Sequence, residues 1–128
     1  MAYVLDTSAL VSYFKAEPLG AHVRDILLQQ PLDLLLPFMT VMEVQYVLAR
    51  TFPPSQVDQF IGALRSLGAP IIESNPEWGA AAARLKARGG LSVADAWIAS
   101  LALMYDAELV HKDPEFDRVE GLRSHRLR

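Results

Sequence analysis

Four carboxylates stand where this chain could do chemistry: Asp6, Glu43, Asp95 and Asp113. The apolar run Ala2-Tyr3-Val4-Leu5 stops at Asp6-Thr7-Ser8, residues suited to capping a helix. Glu43 comes three residues after Thr40 and Asp95 three after Ser92, both the spacing of a capping box. Asp113 follows the apolar segment Glu108-Leu109-Val110-His111 and precedes Pro114, a turn-forming pair. Taken singly, each acid is explained by a cap or a turn. Taken together, they fall at strand exits and helix starts, where a parallel sheet gathers its ligands. Two carboxylates about 4 Å apart repel by roughly 4 kcal/mol at an effective dielectric near 20, so a cluster requires protonation or a counter-cation. All-oxygen ligation suits Mg²⁺ or Mn²⁺, while the absence of cysteine and of a histidine cluster disfavours zinc.

The elements that must position these acids alternate along the chain. Ala2 to Leu5 reads as a strand and Ala9 to Phe14 as the helix after it. Leu19 to Gln30 predicts a second helix, stopped by Pro31, and Leu32 to Leu36 a second strand. Pro37 introduces a third helix that Pro53-Pro54 stops, and Ser55 is placed to cap a fourth, with Phe60, Ile61, Leu64 and Leu67 on its apolar face. Ala69 to Glu73 reads as a short third strand. Asn75-Pro76 opens an alanine-rich helix that Gly89-Gly90 ends, and Ser92 caps the next, which runs to Met104. Glu108 to His111 is the next strand, followed by a turn at Asp113-Pro114, and Val119 to Arg128 holds a last edge strand. Such alternation implies right-handed crossovers and a three-layer α/β/α sandwich with a mainly parallel central sheet. No repeat, low-complexity tract or linker divides the chain, so residues 1–128 read as one domain.

Composition narrows the setting. Without cysteine there is no disulfide scaffold and no thiol nucleophile, which fits a cytoplasmic protein. The first residues meet Asp6 too early for a signal peptide, and no run approaches the length of a membrane span. Twelve Lys and Arg against fifteen Asp and Glu give a net charge of -3, which by itself speaks against nucleic acid as a partner.

Four separated segments change that expectation: Val4-Leu5-Asp6-Thr7-Ser8-Ala9-Leu10, Thr40-Val41-Met42-Glu43-Val44, Leu91-Ser92-Val93-Ala94-Asp95-Ala96-Trp97-Ile98-Ala99, and Leu109-Val110-His111-Lys112-Asp113-Pro114-Glu115-Phe116. In order and spacing they resemble the PIN-domain ribonucleases, and within that family the VapC toxins of bacterial and archaeal toxin-antitoxin pairs. The resemblance spans nearly the whole chain and places Asp6, Glu43, Asp95 and Asp113 on the family's acidic positions. It implies a metal-dependent endoribonuclease with one or two Mg²⁺ or Mn²⁺ ions. Asp6 and Asp95 would be direct ligands, Glu43 a ligand or water-orienting base, and Asp113 part of a second metal site or its outer shell. It further implies an RNA substrate, a homodimer, and a cognate antitoxin whose tail enters the acidic cleft. One departure is His111, where the family commonly has Thr or Ser two residues before the last acid; Asp117 is a possible substitute for Asp113.

Around the acids, Ser8 is a candidate to orient a carboxylate or contact phosphate, although Thr7 and Ser8 also read as helix caps. His111 could touch substrate or tune a water, while a lone histidine at a strand end is more often a polar cap. For RNA the candidates are Lys112 beside the last acid, Arg84, Lys86 and Arg88 before Gly89-Gly90, and Arg118, Arg123, Arg126 and Arg128 in the tail. Tyr13, Phe14, Phe38 and Trp97 could stack on bases, but apolar neighbours favour core or interface places for them. Two bound Mg²⁺ ions would raise the formal total from -3 to +1, reconciling mild acidity with a nucleic-acid substrate. Three competing readings remain: a non-catalytic interaction module whose acids are only caps, a stand-alone RNA-processing nuclease, and a phosphohydrolase using Asp6 as nucleophile. The last would normally carry a second aspartate where this chain has Ser8.

Overall fold

The computed structural model describes residues 1–128 and contains five strands and six α-helices. In chain order they are β1 (Tyr3–Leu5), α1 (Thr7–Phe14), α2 (Gly20–Leu27), β2 (Leu34–Pro37), α3 (Phe38–Ala49), α4 (Pro54–Ser66), β3 (Ile71–Ile72), α5 (Pro76–Ala87), α6 (Val93–Met104), β4 (Glu108–His111) and β5 (Ser124–Arg126), with a 3-10 helix over Pro114–Arg118. The strands form one sheet in the order β3-β2-β1-β4-β5, and every pairing is parallel. The expected α/β/α sandwich is therefore present, with a sheet that is wholly parallel.

Both faces of that sheet are covered, as a parallel sheet requires. Alternate strand residues sort cleanly. Leu5, Leu34, Leu36 and Val110 join α1 to α4 in an aliphatic core of 15 buried residues. Val4 and Leu109 join α5, α6 and Phe116 in a second core of 11, centred on Trp78. The Trp78 indole N–H donates to the carbonyl of Trp97 and to Ser100 Oγ, so its one polar atom is satisfied inside the core. Phe38 and Trp97 pack edge-on against Trp78 at centroid distances of 5.4 and 4.9 Å, which makes them core partners rather than base-stacking platforms.

Local chemistry sets the helix ends. Asn75 Oδ1 accepts from the Trp78 amide and Ser92 Oγ from the Asp95 amide, each a true N-cap. Ser55 is no cap, because α4 begins one residue earlier at Pro54, where the missing N–H is harmless. Between α1 and α2 the chain needs Gly20: a Cβ there would sit 2.6 Å from the Ser12 carbonyl oxygen and 2.7 Å from Tyr13 Cα. The close approach lets α2 pack against α1.

Candidate functional site

The chain builds outward from β1 to β2 and β3, then returns to place β4 on the other side of β1. The carboxyl ends of β1 and β4 thus border the point where strand order reverses, the usual ligand crevice of an open parallel sheet. Asp6 leaves β1 there, with its amide donating to the Val110 carbonyl at 3.0 Å. Asp113 follows β4, and the N-termini of α3 and α6, which run back against the strands, bring Glu43 and Asp95 to the same edge. A cleft of about 380 Å³ is lined by Asp6, Glu43, Asp95 and Asp113, with Lys15, Glu17 and Lys112 around its mouth.

Asp6 is the N-cap of α1 and is almost completely buried, at 2% exposure. Its Oδ2 accepts from Ser8 Oγ at 2.7 Å and from the Ser8 amide at 3.4 Å, while buried Oδ1 has no partner. Ser8 Oγ in turn accepts from the Lys112 amide at 3.2 Å, tying the exit of β1 to the exit of β4. Thr7 Oγ1 donates to Glu43 Oε1 at 2.7 Å, and the Tyr46 hydroxyl donates to Glu43 Oε2 at 3.2 Å. Thr7 and Ser8 therefore do not cap the helix with their own side chains. They hold two of the acids.

The expected Thr40–Glu43 capping box also fails, for a specific reason. The N-cap of α3 is Pro37, with no side-chain bond, and Thr40 lies inside the first turn with its hydroxyl buried and unpartnered. Glu43 is free of any capping duty and faces the cleft. Ser92-Asp95 keeps only its forward half, the Asp95 amide to Ser92 Oγ.

Burial and crowding shape the electrostatics. Desolvation is the main reason the Asp6 carboxyl is raised from 3.8 to about 7; the Ser8 hydrogen bond opposes it, and the charges of Asp95 and Asp113 add to it. Asp95 is raised to about 6, again chiefly by burial, opposed by Ser92 and reinforced by Asp113, Glu43 and Glu115. Beside them, Glu43 pushes the Tyr46 phenol up. Carboxyls that titrate near neutrality without a cation are groups that gain from one. The donor set is all oxygen and Asp6 Oδ1 awaits a partner, so the residues fit a hard divalent ion. No group of three or more His, Asp or Glu side chains is disposed to close on a single ion. The four acids share the cleft without converging on one point.

The other expected residues fall elsewhere. His111 is fully buried rather than capping the strand towards solvent, which corrects that expectation. Neither ring nitrogen has a hydrogen-bond partner; the ring packs edge-on against Phe116 at 4.9 Å, and Nε2 stands 3.9 Å from Asp117 Oδ1. Burial pushes its pKa down. Asp117 faces away from the cleft and bonds Arg126, so it does not substitute for Asp113. Lys112 lines the cleft with its Nζ 3.9 Å from Glu17 Oε1. Arg84, Lys86 and Arg88 lie outside it, with Arg84 and Arg88 at one groove of α5 and Lys86 at another. Tyr46, Lys15 and Glu17 were not legible in advance. Only the i, i+3 spacing of Glu43 and Tyr46 on a helix hinted at the first.

A parallel sheet with carboxylates gathered at its switch point defines the class of this protein: an α/β protein built around an acidic cleft. The PIN domain profile matches residues 3–122, and the chain belongs to the PIN-domain family, whose members are nucleases. Among solved structures the fold is similar to a chain of VapBC2 from Rickettsia felis bound to a promoter DNA fragment, at TM-score 0.81 and 21% identity over 98% of each chain. It is also similar to DNA-bound VapBC from Salmonella typhimurium, at TM-score 0.83 and 19% identity over 100% of this chain and 99% of the other. VapBC-1 from nontypeable Haemophilus influenzae gives TM-score 0.74 and 22% identity over 99% and 98%. No curated protein sequence matches the chain. No helix is long and apolar enough to cross a membrane.

Proposed function

We propose that this PIN-domain protein is a metal-dependent endoribonuclease, the VapC-type toxin of a toxin-antitoxin pair acting in the cytoplasm. The observation that carries the reading is Asp6: a buried carboxylate at the switch point, with one oxygen unpartnered and two further acids near enough to act on it. Asp6 and Asp95 would hold Mg²⁺ or Mn²⁺, as one or two ions, with Glu43 and Asp113 as further ligands or through water. Such an ion, when bound, acidifies water and offsets charge on the phosphodiester. Ser8 keeps the Asp6 carboxylate aimed, and Thr7 and Tyr46 fix Glu43 where it can orient a water or accept its proton. Lys112 at the rim would meet the RNA backbone.

The structural neighbours are toxin-antitoxin complexes, which supports an antitoxin partner whose tail enters the cleft, where a basic side chain would neutralise the same acids. A second copy of the chain completes the proposed homodimer. The test is cleavage of RNA by the purified chain with Mg²⁺ or Mn²⁺ and an EDTA control. Asp6→Asn is expected to lower the rate by about 100-fold or more with the fold retained. Equal cleavage by the variant, or cleavage undiminished by EDTA, overturns the reading.

A further inference from the structure

A second polar pocket opens between the Gly89-Gly90 turn that ends α5 and the 3-10 helix that follows Asp113. Its volume is about 190 Å³, somewhat above the roughly 150 Å³ that accommodates a benzene ring. Leu85, Leu91 and Val119 give it apolar walls, while Arg88, Arg118, Glu115 and Glu120 supply donors and acceptors. The ion pairs of the molecule engage Asp117, Glu17 and Asp106 with other cations, so none of these four charged groups is committed to a partner. Gly89 and Gly90 both take positive φ, at 86° and 88°, a conformation that side chains rarely adopt, and they line the pocket with bare backbone.

Position links this pocket to the cleft. Glu115 is two residues from Asp113, and Leu91 is four residues before Asp95, so both walls continue into the acid-bearing segments. The Glu115 charge also acts on Asp95. A phosphate alone fits such a pocket poorly, because two carboxylates would repel it. A flat group with acceptors on one edge and donors on another fits both. Guanine has that pattern: O6 and N7 take an arginine fork, and N1–H with the N2 amine meets a carboxylate, with both contacts bidentate. Apolar walls and guanidinium planes are the usual supports for an unstacked base.

Resting on the ribonuclease reading above, we infer that the Arg88–Arg118 pocket is a specificity site that receives an unstacked guanine of single-stranded RNA near the scissile phosphate. Cleavage of an RNA pool with randomised positions then shows guanine enriched at one fixed offset from the cut. Arg88→Ala and Arg118→Ala each reduce the preference for guanine over adenine at that offset by about 10-fold. Replacing the guanine with 7-deazaguanine, which lacks N7, or with inosine, which lacks the N2 amine, costs a similar factor in the unaltered protein. Cleavage without base preference, or a preference untouched by both variants, overturns the inference while leaving the nuclease reading intact. Titration with guanosine monophosphate keeps the question open to decision even if no RNA is cut. It is expected to shift the Gly89 and Gly90 amide resonances where adenosine monophosphate does not. Equal shifts with both nucleotides, or none with either, also overturn it.

Discussion

Two concavities of equal size, each about 380 Å³, flank helix α1, and they could hardly differ more in chemistry. Thr7, Ser8 and Val11 turn one side of the helix to the acidic cleft. Tyr13 and Phe14 turn another to a groove lined entirely by apolar residues, with Leu27 from α2 and Phe60 and Leu64 from α4. In the groove the aromatic rings support one another, Phe14 against Phe60 at 4.9 Å and Phe60 against Phe52 at 5.1 Å, so its walls contribute to stability. In the cleft the walls work against stability, because burial and mutual repulsion hold two carboxyls near neutrality. Shape alone does not separate the two concavities; their chemistry does. The cleft is the place where the fold tolerates unfavourable electrostatics, and such sites are where function concentrates.

The largest test of that contrast exchanges one residue on each side. Asp6→Asn should remove RNA cleavage by about 100-fold or more, yet raise metal-free stability at pH 8 by up to about 4 kcal/mol, since it deletes a buried charge. Phe60→Ala should do the reverse, costing about 1–3 kcal/mol in denaturant unfolding while kcat/KM of the folded protein stays within about twofold. A destabilised Asp6→Asn would break the comparison.

The next test is pH. Asp6 titrates at about 7 in the native protein and near 3.8 when unfolded. Between those values the native state binds more protons than the unfolded chain, so metal-free stability falls as pH rises from about 4 to 7, by on the order of 4 kcal/mol from this group. Asp95, raised to about 6, acts in the same direction over a narrower window. Mg²⁺ should flatten the fall by favouring the ionised forms. Denaturation midpoints at pH 5 and pH 8, with EDTA and with Mg²⁺, measure it; a midpoint that climbs with pH in EDTA contradicts the picture.

The smallest effect is expected at Ser8. Its hydroxyl bond lowers the Asp6 pKa, so Ser8→Ala should shift the acid limb of the pH–rate profile upwards with a modest loss of rate near pH 8. It should also release the link to the Lys112 amide. An unmoved limb would show that Ser8 serves only the backbone.

Much of the fold was legible residue by residue. Asp6, Asn75 and Ser92 cap the helices their side chains suit, and Gly89-Gly90 stops α5 where expected. Pro31 predicts an end to α2 at Gln30, yet the helix ends at Leu27, because a proline limits a helix without fixing its last turn. The Asp113-Pro114 turn continues as a 3-10 helix, and that extra turn directs Asp117 towards β5 instead of the cleft. Thr40 and Glu43 had the spacing of a capping box without being one, since spacing does not say where the preceding strand ends. Here β2 runs to Pro37 and α3 starts at Phe38.

The alternation of strands and helices, and with it a parallel sheet whose carboxyl edge carries Asp6, Glu43, Asp95 and Asp113, can be read from the chain alone. Those features follow from apolar periodicity and from capping and turn chemistry, which act over a few residues. Long-range packing sets the rest: Thr7 and Ser8 hold carboxylates instead of capping, His111 is buried away from the cleft, and Asp117 pairs with Arg126. Each of those outcomes depends on which distant segment lies alongside. Burial, and with it the shift of Asp6 towards neutrality, is likewise set by the strand order that brings β4 back beside β1.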